Sequence, residues 1–192
     1  MFKKIFVATT NLGKLEEYRN YLEPLGYTVL GMKDLGISEE APEQGETFLQ
    51  IAENKALFYS NYTKLPIVAD DSGLEVVALD NFPGIKSNRW MEGSDQDKNK
   101  ALLLKLKNET DRRSVFKTAI VYLHRKIMVR FEGELYGLIA ADPRGQTGFG
   151  YDPIFLVPGI KRTLGELLLF EKNKISHRAK ALQKLTSYLK KV

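Results

Sequence analysis

The chain has 192 residues, 43% apolar and 28% charged, with 29 Lys and Arg against 24 Asp and Glu for a formal charge of +5. That composition excludes a disordered or fibrous protein, and the length suits one fair-sized domain or two small lobes with a real core. Without cysteine, disulfides, thiolate catalysis and Cys-based zinc sites are excluded, and the histidines, His124 and His177, are too distant in sequence for a local zinc pair.

Ile5 to Ala8 is a short apolar run that reads as a buried strand, too short for the core of a secretory signal. It stops at "TTNLGK", after which Leu15, Tyr18, Leu22 and Leu25 recur at helical spacing up to Pro24 and Gly26. Tyr27 to Leu30 reads as a second strand, and Lys33 to Gly45 as an acidic loop. Thr47 opens a helix through Phe48, Ile51, Ala52 and Tyr59. Leu65 to Ala69 reads as a strand ending at Asp70 and Asp71, Leu74 to Val77 continues extended, and "DNFPG" is a turn. Ser94 and Asp97 predict a capped helix start before Leu102, Leu103 and Leu106. Val115 to Leu123 and Ile127 to Leu135 read as antiparallel strands with His124 at the hairpin tip. A Gly-rich loop, Pro143 to Tyr151, precedes a strand from Ile154 to Val157. Thr163 and Glu166 cap a short helix, and Ser176 caps a last helix with Ala181, Leu182, Leu185 and Leu189 as its apolar stripe. Early alternation of strands and helices followed by a strand-rich middle predicts an α/β fold with a mixed sheet, in one domain over residues 1–192. No window has the apolar length of a membrane span, and the protein is expected in the cytoplasm.

Four stretches carry candidate chemistry. "TTNLGK" sets hydroxyls, an amide, Gly13 and Lys14 at a helix start, which suits either plain capping or a phosphate cradle; it is not a Walker A loop. In "GQTGFGYD", Phe149 stands between two glycines, and the stretch is either a tight turn or an exposed ring on which a base can stack. His177 and Arg178 fall in the first turn of a helix, where positive charge opposes the dipole by some tenths of a kcal/mol. Asp70 and Asp71 are adjacent acids that alternate sides in an extended segment, so one can enter a site while the other bonds elsewhere. Two neighbouring carboxylates are costly to desolvate without a cation, and with no cysteine that cation is expected to be a hard one, magnesium.

Taken in order along the chain, "TTNLGK", "EQGETFLQIAENKA", "VADDSGLEV", "FPGIKSNRW", "PRGQTGFGYDPIF" and "EKNKISHRAKAL" resemble the inosine triphosphate pyrophosphatase family over nearly the whole length. The resemblance implies an elongated α/β fold with a central mixed sheet flanked by helices, in two lobes around a nucleotide cleft. It implies magnesium-dependent hydrolysis of ITP, dITP or XTP to the monophosphate and pyrophosphate, usually by a homodimer, with no nucleic-acid or membrane partner. Residue by residue, it implies Thr9, Thr10, Asn11, Leu12, Gly13 and Lys14 as the triphosphate loop, and Lys55 and Ser72 as further substrate contacts. Asp71 matches the catalytic acid and, with Glu43, the metal-binding acids. Phe149, Gly150, Tyr151 and Asp152 match the base-binding loop, and Lys172, His177 and Arg178 the C-terminal nucleotide contacts. Gln50, Ile51, Lys86 and Asn88 depart from the family pattern. A Maf-like pyrophosphatase and a non-catalytic nucleotide- or nucleic-acid-binding module are the rival readings.

Overall fold

The structure is a computed structural model and describes residues 3–191. Strand β1 (Lys3–Val7) leads into α1 (Leu12–Leu22), which closes in a 3-10 turn, Glu23–Leu25, at left-handed Gly26. Then come β2 (Tyr27–Leu30), α2 (Phe48–Tyr59) and β3 (Ile67–Val76). Short β4 (Phe82–Pro83), α3 (Asp95–Lys105), β5 (Arg113–His124) and β6 (Ile127–Ile139) follow. The chain ends with β7 (Phe155–Val157), β8 (Arg162–Thr163), α4 (Leu169–Ile175) and α5 (His177–Leu189). One mixed sheet runs in the order β2-β1-β3-β5-β6-β7-β8, with β4 paired antiparallel to β3. The helix starts obey the predicted capping chemistry: Asn11 caps α1, Thr47 caps α2, and Ser94 with Asp97 forms a reciprocal capping box on α3.

The chain divides into two compact units. The first comprises the segments up to Asp71, Thr118–Gly133 and from Arg178 onward. Its β1 pairs in parallel with β2 on one side and with β3 on the other. Ile5 and Val7 of β1 join Leu15, Tyr18 and Leu22 of α1 and Ala181, Leu182, Leu185 and Leu189 of α5 in one core. Phe6 points the other way and meets Tyr59 of α2 edge-on at 5.7 Å, as period two requires. The second unit comprises Ser72–Lys117 and Glu134–His177. Its core gathers Leu74, Val76, Leu102, Phe116, Leu135, Tyr151, Ile154, Phe155 and Leu164. Among the described residues no helix is long and apolar enough to cross a membrane.

Two expectations are corrected. The aspartates do not end a strand: β3 continues through Asp70, Asp71, Ser72 and Gly73 to Val76. Asp-Ser-Gly suits a turn, but β3 pairs with β1 through Ile67 and Val68 before these residues and with β4 through Glu75 and Val76 after them, and Leu74 N–H donates to the buried Ser87 hydroxyl at 2.8 Å, so the stretch between stays extended. The Lys33–Gly45 segment is also not pure loop, since Lys33–Leu35 forms a 3-10 turn closed by left-handed Gly36.

Candidate active site

The first unit reverses its strand order at β1. The chain leaves β1 through α1 to β2 on one side, and returns through α2 to β3 on the other. In open α/β sheets such a reversal leaves room for a ligand beyond the carboxyl ends of the strands. The "TTNLGK" loop follows β1 there. Thr9 Oγ1 accepts from Asn11 N–H at 3.2 Å, and Asn11 Oδ1 accepts from Lys14 N–H at 2.9 Å. Thr10, Asn11 and Leu12 are exposed, whereas Thr9, Gly13 and Lys14 are half-buried.

Lys14 places Nζ 2.9 Å from Asp70 Oδ2. Arg178 brings Nε to 3.5 Å from the same oxygen and donates from Nη1 to Glu17 Oε2 at 2.5 Å. Asp70, Arg178 and Glu17 side chains are all at most 2% exposed. Burial alone pushes the Asp70 carboxyl up, but the Lys14 ammonium and Arg178 guanidinium outweigh it and hold Asp70 well below the usual carboxylate range. Lys14 is shifted down, chiefly by burial, although Asp70 opposes the shift.

Asp71 meets a different environment one residue on. Lys55 Nζ lies 3.4 Å from Asp71 Oδ1 and 3.2 Å from Glu43 Oε1, so one ammonium sits between two acids. Asp71 Oδ2 is buried without a hydrogen-bond partner, and the Asp71 carbonyl accepts from Thr118 Oγ1 at 3.3 Å. Burial pushes the Asp71 carboxyl up, Asp70 adds to the push, and Lys55 and Lys14 only partly oppose it. Alternation along β3 therefore gives the two acids opposite properties. Asp70 is a permanently charged anchor, and Asp71 is a carboxylate that accepts a proton more readily than usual.

The second unit presents an aromatic loop. Asp152 Oδ2 accepts from Phe149 N–H at 2.9 Å and from Lys172 Nζ at 2.7 Å. The Lys172 ammonium lies 4.4 Å from the centroid of the Phe149 ring. Gly148, at φ +78°, must be glycine, because a Cβ there would lie 2.1 Å from Asp152 Oδ2. Tyr151 OH donates to Ser87 C=O at 2.7 Å and accepts from Trp90 Nε1 at 2.6 Å, and burial pushes its phenol up to about 12. His177 is buried with its ring stacked on Phe116, centroids 4.7 Å apart.

The structure thus brings Lys14, Lys55, Glu43 and Asp71 together in one unit, and Phe149 to Asp152 with Lys172 in the other. Within its unit, Tyr151 belongs to the core rather than to an exposed ring face. His177 and Arg178 are not a surface pair; the penalty of positive charge in a first helical turn is offset for Arg178 by Glu17 and Asp70. Ile51, one of the departures from the family pattern, is fully buried. Sequence reasoning missed Glu17, which lies on α1 well round from the Leu15–Tyr18–Leu22 stripe, so no apolar pattern marks it as buried. It also missed Asp95, Asn99 and Trp90, whose hydrogen bonds reach the aromatic loop. The only hint was an Asp and an Asn four apart in a predicted helix.

Fold and cluster define an open-sheet α/β protein with an acid–lysine centre past the carboxyl end of its first strand. A profile of the Ham1 family matches residues 5–188, and the chain belongs to that family, as the sequence resemblance led us to expect. It is 41% identical to a dITP/XTP pyrophosphatase of Thermoanaerobacter pseudethanolicus, over 98% of this chain and 97% of that protein. The dITP/XTP pyrophosphatase of Bacillus subtilis is 40% identical, over 98% of each. The solved HAM1 protein from Coxiella burnetii superposes with a TM-score of 0.90 at 35% identity, covering 99% of this chain and 100% of that one.

Proposed function

We propose that this chain hydrolyses non-standard purine nucleoside triphosphates, dITP, XTP and ITP, to the monophosphate and pyrophosphate, with magnesium, and so clears deaminated purines from the nucleotide pool. Asp71 carries the reading. A buried carboxylate with a raised pKa, one oxygen on a lysine and the other unpartnered, suits a group that takes a proton during reaction rather than one that cements a fold. Relatives about 40% identical over nearly their whole length are named for this activity.

The donor set fits magnesium. Among the described residues no group of three or more His, Asp or Glu side chains could hold a metal unaided. Magnesium needs no such cage, since one or two carboxylates suffice when water and substrate phosphates complete the octahedron. Asp71 and Glu43 would be those carboxylates: they already share the Lys55 ammonium, and Asp71 Oδ2 has a lone pair to spare. Bound there, magnesium would neutralise charge building on the leaving pyrophosphate.

The protein's own groups would act as follows. Asp71 orients the attacking water and takes its proton. Lys14 and Lys55 hold phosphate oxygens, exchanging part of their contact with Asp70 and Glu43 for the substrate. Asp70 stays ionised and sets the position of Lys14. The Phe149 ring stacks on the base, and buried donors on His177 and Lys172 favour a purine carrying a 6-oxo acceptor. Adenine presents an amino donor instead, and each unmade buried bond costs about 1–3 kcal/mol, roughly 10- to 100-fold in discrimination. A homodimer and a cytoplasmic setting, as the family resemblance implies, complete the proposal.

The test is pyrophosphate release from dITP, XTP, ITP, ATP, GTP and UTP, with magnesium and with EDTA. Magnesium-dependent turnover of the first three far above the rest supports the reading. Equal turnover of all six removes base selection, and binding without turnover would make the chain a nucleotide-binding module.

A further inference from the structure

Helix α3 grips the aromatic loop through a single residue. Asp95 in its first turn accepts from Gly150 N–H through Oδ2 at 2.6 Å, and Asn99, four residues on and so on the same face, donates from Nδ2 to Gly150 C=O at 3.1 Å. Both polar groups of one residue are thereby held by one helix. Gly150 adopts φ +62° with open space where a Cβ would stand, so its backbone angle rather than crowding calls for glycine; Tyr151 anchors the segment on its C-terminal side in the core, and the two bonds from α3 hold it at Gly150, next to Phe149. Phe149 immediately precedes it, with N–H on Asp152 and ring under Lys172. Asn99 is buried and Asp95 exposed, so the grip joins the interior of α3 to a loop with a half-exposed ring.

We propose that Asp95 and Asn99 are positioning residues for base recognition: by fixing the Gly150 backbone they hold the Phe149 ring at the pose in which it stacks on the substrate base. The inference rests on the proposed role of Phe149 in that reading. Stacking on a preorganised ring avoids the cost of ordering the ring on binding, and base–aromatic stacking is worth enough that losing part of it costs about tenfold in affinity. The chemistry at Asp71 does not depend on the clamp, so loosening it acts on binding and not on the rate of the bound complex.

The experiment is steady-state dITP hydrolysis by wild type, Asp95→Ala, Asn99→Ala, Asp95→Asn and Phe149→Ala, with thermal melts as folding controls. Each alanine clamp variant is expected to raise KM about tenfold with kcat within about threefold. Asp95→Asn, which keeps an acceptor oxygen, is expected to return KM to near the wild-type value. In a Phe149→Ala background the clamp substitutions should add little, because their effect passes through that ring. Hydrogen exchange of the segment 147–152 should quicken in both alanine variants. If Asn99→Ala does not fold, the exposed Asp95 carries the test through Asp95→Ala and Asp95→Asn. A KM within twofold of wild type in Asp95→Ala, where Phe149→Ala does raise it, overturns the clamp. So does a fall in kcat at constant KM, or a full clamp effect without the Phe149 ring. If Phe149→Ala leaves KM unchanged, the stacking role and the clamp both fall, while wild-type turnover judges the hydrolase reading separately. Should wild type bind dITP without turnover, that reading fails and the clamp is scored by the same tenfold change in Kd from equilibrium dialysis.

Discussion

Replacing Asp71 by Asn should abolish turnover and leave the protein as stable as before, or more so. Asn keeps the shape and removes the charge. In the wild type that charge is buried, with Oδ1 on Lys55 at a long 3.4 Å, Oδ2 unpartnered and Asp70 next along the chain. A buried, unsatisfied polar atom costs about 1–3 kcal/mol, more if charged. Attraction to an ammonium near 4 Å returns about 4 kcal/mol at an effective dielectric constant of ~20, before the desolvation of both ions is charged against it. The upward pKa shift says that burial outweighs the attraction of the lysines, so the charged form is less favoured here than in water. Lys55 keeps Glu43 at 3.2 Å after the change, so no new orphan charge appears. The net gain at pH 7 should be about 1 kcal/mol, or roughly 2–4 °C in Tm for a chain of this size. The sign with pH is definite. A carboxyl whose folded pKa is raised binds its proton more tightly when folded, so the wild type regains stability as pH falls through that value. The advantage of Asp71→Asn is therefore full at neutral pH and vanishes below the ordinary aspartate range. Urea melts at pH 7 and pH 3, beside pyrophosphate release, measure both halves. Turnover should drop at least ~100-fold, the usual contribution of a positioned base. A destabilisation above ~1 kcal/mol, or activity above a tenth of wild type, would refute the assignment.

Asp70→Asn should do the reverse, destabilising by about 3–5 kcal/mol, because Lys14 and Arg178 lose the counter-charge of a buried cluster. Its folded pKa is depressed, so the stability it lends is present above the ordinary aspartate range and lost as pH falls below it; urea midpoints against pH will show this slope in wild type and not in the variant. The acidic limb of kcat/KM against pH should move on substitution of Asp71 and stay in place on substitution of Asp70, as pH–rate profiles of the conservative variants will show. Lys172→Met should cost about 3–5 kcal/mol by removing the counter-charge of the buried Asp152, and adding Asp152→Asn should recover most of that stability without recovering dITP affinity, as melts and KM together will tell. Gly148→Ala should raise KM for dITP while leaving the fold of the first unit intact, since its Cβ would drive Asp152 away from Phe149.

Much of this protein could be read locally. The caps at Asn11, Thr47 and Ser94 close within three residues, so the sequence that makes them also contains them. The apolar stripe of α5 is legible for the same reason, since one face of a helix recurs within a turn. Asp71, Glu43 and Lys55 could be named as candidates from the motifs that hold them. What no local pattern states is which charge meets which. Asp70 and Asp71 are chemically identical neighbours, and only the fold holds the carboxyl of one below the usual range and pushes that of the other up. It does so by bringing Lys14 from 56 residues away and Arg178 from the last helix to one side of β3, and Lys55 to the other. Glu17 was invisible as a buried residue until Arg178, 161 residues on, was seen to cover it. Nothing in the sequence near Asp95 and Asn99 points to the loop at Gly150 that bonds to both. Local chemistry depends on neighbours in the chain, and the sequence carries those. Desolvation and Coulomb energy depend on neighbours in space, and the packed structure alone supplies them.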